Sequence, residues 1–299
     1  GHNVTIFDFN VEVGFHTESW IWEGGNAPFW YREDLFTNKT FPIIKDKLNE
    51  CVDKLIRFIQ TEKIECIGFQ IFSTTLFATK YMIQRLRFLD VKIIIGGADL
   101  SQNNSRDSEL TSGMVDAIII GEGELSVPAL LKEWESGNED FSIPGVNHLV
   151  NGFLRKTPPE IIKDLSVLPT VSYKDQDLSV HRNNKTAPIQ TSRGCYASCA
   201  FCAETGNYRH RPAESIFKEM MEIHTLHDTS NFTVTDSAMF PQHPEMKKLV
   251  KLIIESGKRF SFDGNCRIAP RLTTDLLKDL HTAGCDTLIF GLESGSQTV

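Results

Sequence analysis

Short β-branched runs alternate with amphipathic segments along most of this chain, and that rhythm admits few folds. Residues 4–9, 64–71, 92–95 and 117–120 read as strands. Residues 41–61 read as a helix, because Ile44, Leu48, Val52, Leu55 and Ile59 recur at three- and four-residue spacing. Further helices are expected over 76–88 and 125–134, with a polar helix-like stretch before Ala117. Such repetition implies an α/β fold with a parallel sheet covered by helices on both faces. Residues 1–136 are therefore read as a doubly wound, Rossmann-like domain. Residues 137–187 break the rhythm with Pro144, Gly145, Pro158, Pro159 and Pro169, and read as an ordered linker or a small hairpin region. Alternation resumes over 188–299. Strands are expected at 189–192, 232–235, 259–262 and 287–291, with helices at 213–226, 243–256 and 273–283.

Composition narrows the function classes. Acidic residues outnumber basic ones by 39 to 31, and no basic run occurs, which argues against nucleic-acid binding. The longest apolar stretches, such as 93–95 and 117–120, are too short to span a bilayer, so no membrane partner is expected. No signal peptide is visible. An odd count of seven cysteines without a regular framework fits a reducing, cytoplasmic setting with metal-binding or catalytic cysteines. The chain begins Gly1-His2-Asn3 without Met and stops at Val299 just after a Gly-rich loop, so both ends are expected to be cut.

Three of the cysteines carry the chemistry. Cys195, Cys199 and Cys202 fall within eight residues, in Ser192-Arg193-Gly194-Cys195-Tyr196-Ala197-Ser198-Cys199-Ala200-Phe201-Cys202. Four-iron clusters normally take four Cys ligands, so three protein thiolates would leave one iron open to an outside ligand. The loop follows a predicted strand, the catalytic edge of parallel α/β folds. The alternatives are a zinc knuckle or a redox disulfide. Structural zinc prefers four closed ligands, and no second Cys pair accompanies this one: Cys266 and Cys285 lie in separate elements.

This spacing, with an aromatic residue just before the third cysteine, closely resembles the radical S-adenosylmethionine superfamily. The resemblance implies a partial (β/α) barrel over 188–299, truncated at its C-terminal end, whose triplet holds a four-iron four-sulfur cluster. It further implies that the open iron chelates S-adenosylmethionine and that reduction yields a 5′-deoxyadenosyl radical. Phe201 matches the position flanking the adenine. Asp236 stands where the family often has an acidic motif for the methionyl amine, as a ligand contact or as a loop cap. Gly291, Glu293 and Ser294 match a Gly-x-Glu-Ser-Gly-Ser signature of cobalamin-linked members, with Glu293 as a cofactor contact or a structural carboxylate. The run Tyr208-Arg209-His210-Arg211-Pro212 also resembles that subgroup, or is a surface loop leading into a helix.

The first domain resembles the cobalamin-binding domain of the same subgroup. The matching pieces are 1–8, Ser73 in its turn, Gly96-Gly97 and Gly121-Glu122-Gly123-Glu124. All but the first lie near C-terminal strand ends, where a flat macrocycle can settle against the backbone. Glu124 equally favours a helix N-terminus. The aromatic segment 15–36, with Trp20, Trp22, Trp30 and Tyr31, packs on a sheet edge or walls a large ligand.

The resemblance implies an enzyme using both cofactors, cobalamin and S-adenosylmethionine, to methylate an unactivated carbon of a small-molecule or peptide substrate. An external electron donor such as flavodoxin or ferredoxin would reduce the cluster. Cyclisation or rearrangement within the subgroup, and a non-catalytic cobalamin or iron–sulfur sensor or electron-transfer protein, are the alternatives.

Overall fold

A computed structural model of the chain describes residues 2–14, 28–98, 100, 107–174, 178, 186–202, 204, 206–268 and 272–296. It divides into two compact units, one formed by Phe7–Ile162 and the other centred on Lys163–Val299.

In the first unit, strands β1 (Cys66–Gln70), β2 (Lys92–Gly96) and β3 (Ala117–Ile119) pair in parallel, in that order. Ile93, Ile94 and Ile95 are all buried, as expected of a strand covered on both faces. The helix Phe41–Glu62 covers one face through Ile44, Leu48, Val52, Leu55 and Ile59, all buried. Burying each such side chain contributes about 1.5–3 kcal/mol. The helix stops at Lys63, whose left-handed backbone (φ 53°) returns its N–H to the Ile59 carbonyl.

Two sequence expectations change here. Residues 2–8 form no strand, and a short helix, Phe9–Gly14, follows them. An extended run becomes a strand only when a neighbour completes its ladder, and Val4 and Ile6 are instead 75% and 53% exposed. The segment 137–187, read as a linker or hairpin region, contributes β4 (Val146–Val150) and β5 (Phe153–Arg155). They extend the first sheet antiparallel, with Ala117 opposite His148 and His148 opposite Arg155. The turn Asn151-Gly152, both left-handed, makes this two-residue hairpin possible. In the aromatic segment, Trp20 and Trp22 lie outside the described residues. Trp30 packs on Phe36 at 6.3 Å, and Tyr31 is exposed.

The second unit holds a parallel sheet in the order β11 (Cys285–Phe290), β10 (Ser261–Cys266), β9 (Asn231–Met239), β6 (Ala187–Ile189). Helices Ala213–His227, Pro244–Ser256 and Thr274–Thr282 connect successive strands, and Met246, Leu249, Val250 and Ile253 carry the middle one into the core. A separate antiparallel ribbon pairs β7 (Ser192–Cys195) with β8 (Gly206–His210). The expected strand at 189–192 is therefore two strands, broken at Gln190-Thr191. Among the described residues no helix is long and apolar enough to cross a membrane.

Candidate functional site

The break after β6 is where the site begins. The Thr191 and Ser192 amides and the Gln190 and Thr191 carbonyls, which leave the parallel ladder there, each find a partner, as buried backbone groups require. Asp236, on β9 and 2% exposed, takes the N–H groups of Thr191 (2.7 Å) and Ser192 (3.0 Å) on Oδ1. Its Oδ2 accepts the Thr191 and Ser192 hydroxyls. Arg211 donates from Nη1 to the Gln190 carbonyl (2.8 Å) and from its backbone N–H to the Thr191 carbonyl (2.9 Å). Arg211 is in turn paired with Glu219 at 2.5 Å, both side chains nearly inaccessible. Asp236 thus spends four acceptor positions on the chain leading into the cysteine loop. Of the two roles read for it, the geometry is that of the loop cap. The run 208–212 is no surface loop either: Tyr208 to His210 belong to β8, and Arg211 is 6% exposed.

The ribbon brackets the cysteines. Gly194 sits at φ 72°, and a Cβ there would lie 2.5 Å from the Gly206 carbonyl oxygen, so only glycine lets β8 cross this close before Cys195. Within the loop, Ala197 N–H points at the Cys195 sulfur (3.4 Å) and Cys202 N–H closes a turn on the Cys199 carbonyl (3.1 Å). Arg267, just past β10, brings Nη1 to 3.7 Å from the Cys199 sulfur. Cys195 and Cys199 are half-buried and Cys202 is exposed. Phe201, beside Cys202, is 71% exposed.

The donor set fits a four-iron cluster with one open corner. Three thiols share one loop, and N–H groups approach two of their sulfurs, as they do around cluster thiolates. The other cysteines of this unit are engaged elsewhere. Cys266 points its thiol at the Arg267 carbonyl (3.6 Å) and Cys285 at the Thr287 carbonyl (3.9 Å). Burial pushes the Cys266 thiol up and that of Cys285 up to about 11, which keeps both protonated. Among the described residues no three His, Cys, Asp or Glu side chains converge on a single ion. Thiolates at the corners of a cubane need no such convergence.

An aromatic cluster that sequence reasoning missed lies against this loop. Tyr196 stacks on Phe240 at 4.3 Å, Tyr208 meets Tyr196 edge-on, and His210 stacks on His243 at 4.6 Å. His210 shares Nδ1 with the Arg211 carbonyl at 2.6 Å, which assigns the proton to Nδ1. Its Nε2 is enclosed without a partner. Burial lowers the His210 pKa and raises those of Tyr196 and Tyr208. The signal was the alternation of Tyr208 and His210, which puts both on one face of a strand. Beyond β11, Glu293 is exposed in a left-handed backbone (φ 51°), a conformation that costs a non-glycine residue about 1–2 kcal/mol. Gly291 leaves room beside it: a Cβ there would meet Glu293 Oε1 at 2.5 Å. Ser294 closes a tight turn on the Leu292 carbonyl.

In the first unit, Ser73 follows β1, Gly96-Gly97 close β2 and Gly121 to Glu124 follow β3, so adjacent parallel strands bring them to one sheet edge. Ser73 is exposed, as are Phe72 and Leu125 at the same edge. Gly97 has a reason of its own. At φ 133°, a Cβ would stand 2.2 Å from the Ile71 carbonyl oxygen, so β1 and β2 close only over glycine. Glu122 accepts the Ile162 N–H at 2.8 Å. Gly123 and Glu124 open the helix Gly123–Glu135, where an acidic side chain complements the helix end.

No family model matches the chain. Among solved structures, the cobalamin-dependent S-adenosylmethionine radical enzyme OxsB, with aqua-cobalamin and S-adenosylmethionine bound, is similar with a TM-score of 0.68 at 18% identity, over 84% of this chain and 38% of that one. The radical S-adenosylmethionine methyltransferase TsrM from Kitasatospora setae, with tryptophan substrate and an S-adenosylmethionine analogue (aza-SAM) bound, has a TM-score of 0.70 at 17% identity, over 91% of this chain and 57% of that one. The fold is that of the cobalamin-dependent radical S-adenosylmethionine enzymes. Curated sequences agree in kind. An uncharacterised methyltransferase of Pyrococcus horikoshii is 24% identical over 192 residues, 62% of this chain and 42% of that protein. The anaerobic magnesium-protoporphyrin IX monomethyl ester cyclase of Synechocystis is 25% identical over 227 residues, 73% and 45%. The chain thus spans under half the length of these curated relatives.

Proposed function

We propose that this chain is the two-cofactor core of a radical S-adenosylmethionine enzyme that methylates an unactivated carbon of a small-molecule or peptide substrate. The observation that carries the reading is the three-thiol loop, with Cys266 and Cys285 of the same unit directed at backbone carbonyls instead, in a fold shared with TsrM and OxsB. Cys195, Cys199 and Cys202 hold the cluster. When bound, the cluster and S-adenosylmethionine supply a 5′-deoxyadenosyl radical, and cobalamin supplies the methyl group. The protein's own work is positional. Asp236 and Arg211 fix the approach to the loop, while Glu293 and Ser294, with Gly291 clearing space, offer polar contacts to the adenosyl moiety. Phe201 would flank the adenine. Residues 1–136 hold cobalamin at the edge formed by Ser73, Gly96-Gly97 and Gly121 to Glu124, with Phe72 and Leu125 as its apolar flank. Such ordering is worth several kcal/mol of barrier when two cofactors and a substrate must meet. An external flavodoxin or ferredoxin supplies the electron, and the free thiols suit a reducing cytoplasm.

The similarity to the Synechocystis cyclase, over 73% of this chain, supports radical cyclisation as the second reading. Adding S-adenosylmethionine and a strong reductant to the anaerobically reconstituted protein is expected to release 5′-deoxyadenosine. Hydroxocobalamin is expected to stay bound after gel filtration. An intact, reduced cluster that cleaves no S-adenosylmethionine contradicts the proposal.

A further inference from the structure

Arg267 has no part in the proposed binding of the cofactors, yet its side chain brings a cation to a sulfur of the triplet. It follows the last residue of β10, and Cys266 and Met239 are ladder partners there, so its backbone leaves from a fixed point of the sheet. The Cys266 thiol holds the Arg267 carbonyl at 3.6 Å. From that anchor, Nη1 reaches the Cys199 sulfur at 3.7 Å, within the range of a hydrogen bond to sulfur. The neighbouring arginines have other partners. Arg193 donates to the Gln190 side chain, Arg209 to the Asn207 carbonyl, and Arg211 to Glu219.

We infer that Arg267 is a positioning and tuning residue for the cluster, donating an N–H to the Cys199 thiolate and raising the cluster's reduction potential. This rests on the reading of the triplet as cluster ligands. Reduction adds one electron from an outside one-electron reductant to the cluster and its thiolates. A guanidinium on a ligand sulfur stabilises that added charge, and hydrogen bonds to the sulfurs are among the levers that set such potentials. No bond to Arg267 forms or breaks.

The test compares the wild-type protein with Arg267→Lys and Arg267→Gln, each reconstituted anaerobically with iron and sulfide. Cluster content is read from iron and sulfide analysis. The midpoint potential is read by redox titration followed by electron paramagnetic resonance, without S-adenosylmethionine. Arg267→Gln is expected to lower the reduced-to-oxidised ratio at a fixed potential about tenfold, equivalent to about 59 mV for a one-electron couple. Arg267→Lys, which keeps the charge and loses the planar fork, is expected to fall between. Equal potentials in all three loaded proteins overturn the inference and leave the cluster assignment standing. Weaker S-adenosylmethionine binding at unchanged potential also overturns it, because Arg267 would then serve the cofactor's carboxylate. A wild-type protein that holds no cluster defeats both readings.

Discussion

Replacing Asp236 separates a residue that holds the fold from one that touches a cofactor. Its carboxylate accepts two buried N–H groups and two hydroxyls, and nothing else replaces it at the Thr191-Ser192 step. In Asp236→Ala the hydroxyls can turn to other acceptors, but the two amides cannot. Each buried unsatisfied donor costs about 1–3 kcal/mol, so the expected loss is about 2–6 kcal/mol. Asp236→Asn keeps one oxygen for the two amides and gives up the charge, a loss of about 1–2 kcal/mol by the difference between charged and neutral hydrogen bonds. Urea unfolding, followed by fluorescence and far-ultraviolet circular dichroism, gives the order wild type, Asn, Ala. The cysteine loop leaves directly from this step, so iron content after reconstitution is expected to fall in the same order. If Asp236→Ala loses under about 1 kcal/mol while S-adenosylmethionine affinity collapses, Asp236 is a cofactor contact and the loop-cap reasoning is refuted.

Gly97→Ala places a Cβ 2.2 Å from the Ile71 carbonyl oxygen, and is expected to destabilise the first unit by more than about 2 kcal/mol and abolish corrinoid retention together; loss of retention at unchanged stability would assign Gly97 to the ligand instead. Burial lowers the pKa values of His148, His210 and His243 in the folded state. Neutral imidazole is then favoured by folding, so the stability is fully present above the unfolded pKa of about 6.5 and is lost as pH falls below it. Urea midpoints are expected to drop from pH 7.5 to pH 5.5, and less so in His210→Gln, whereas a midpoint that rises on acidification contradicts the assignment.

Much of the layout is legible in the sequence because it follows from periodicity. Ile44 to Ile59 at helical spacing and the triple isoleucine of β2 each leave one way to be buried, and the helix and strand form there. Extended runs without a partner are a different matter. Val4 and Ile6 have the same local preference as Ile93 and Ile94, but a strand exists only through its neighbour, which a linear pattern does not contain. The ribbon β7–β8 is hidden for the same reason: its pairing is set by Asp236 and Arg211, which are 44 and 19 residues away from Ser192. In the site, the cysteine triplet is local and so is visible. Arg267 and Glu219 reach their partners across the sheet or along a later helix, and their types alone announce surface charge. Gly97 and Glu122 read as candidate ligand contacts, yet each has a partner in its own unit: the Ile71 backbone and the Ile162 amide.

The central claim is that Cys195, Cys199 and Cys202 hold a four-iron cluster with one iron left open. Anaerobic reconstitution followed by electron paramagnetic resonance of the reduced protein, with and without S-adenosylmethionine, tests it most directly. The account predicts about four irons and four sulfides per chain, a signal that shifts when S-adenosylmethionine is added, and loss of that signal in Cys199→Ala. Zinc in place of iron, a cluster signal indifferent to S-adenosylmethionine, or a cluster that persists in Cys199→Ala would contradict it.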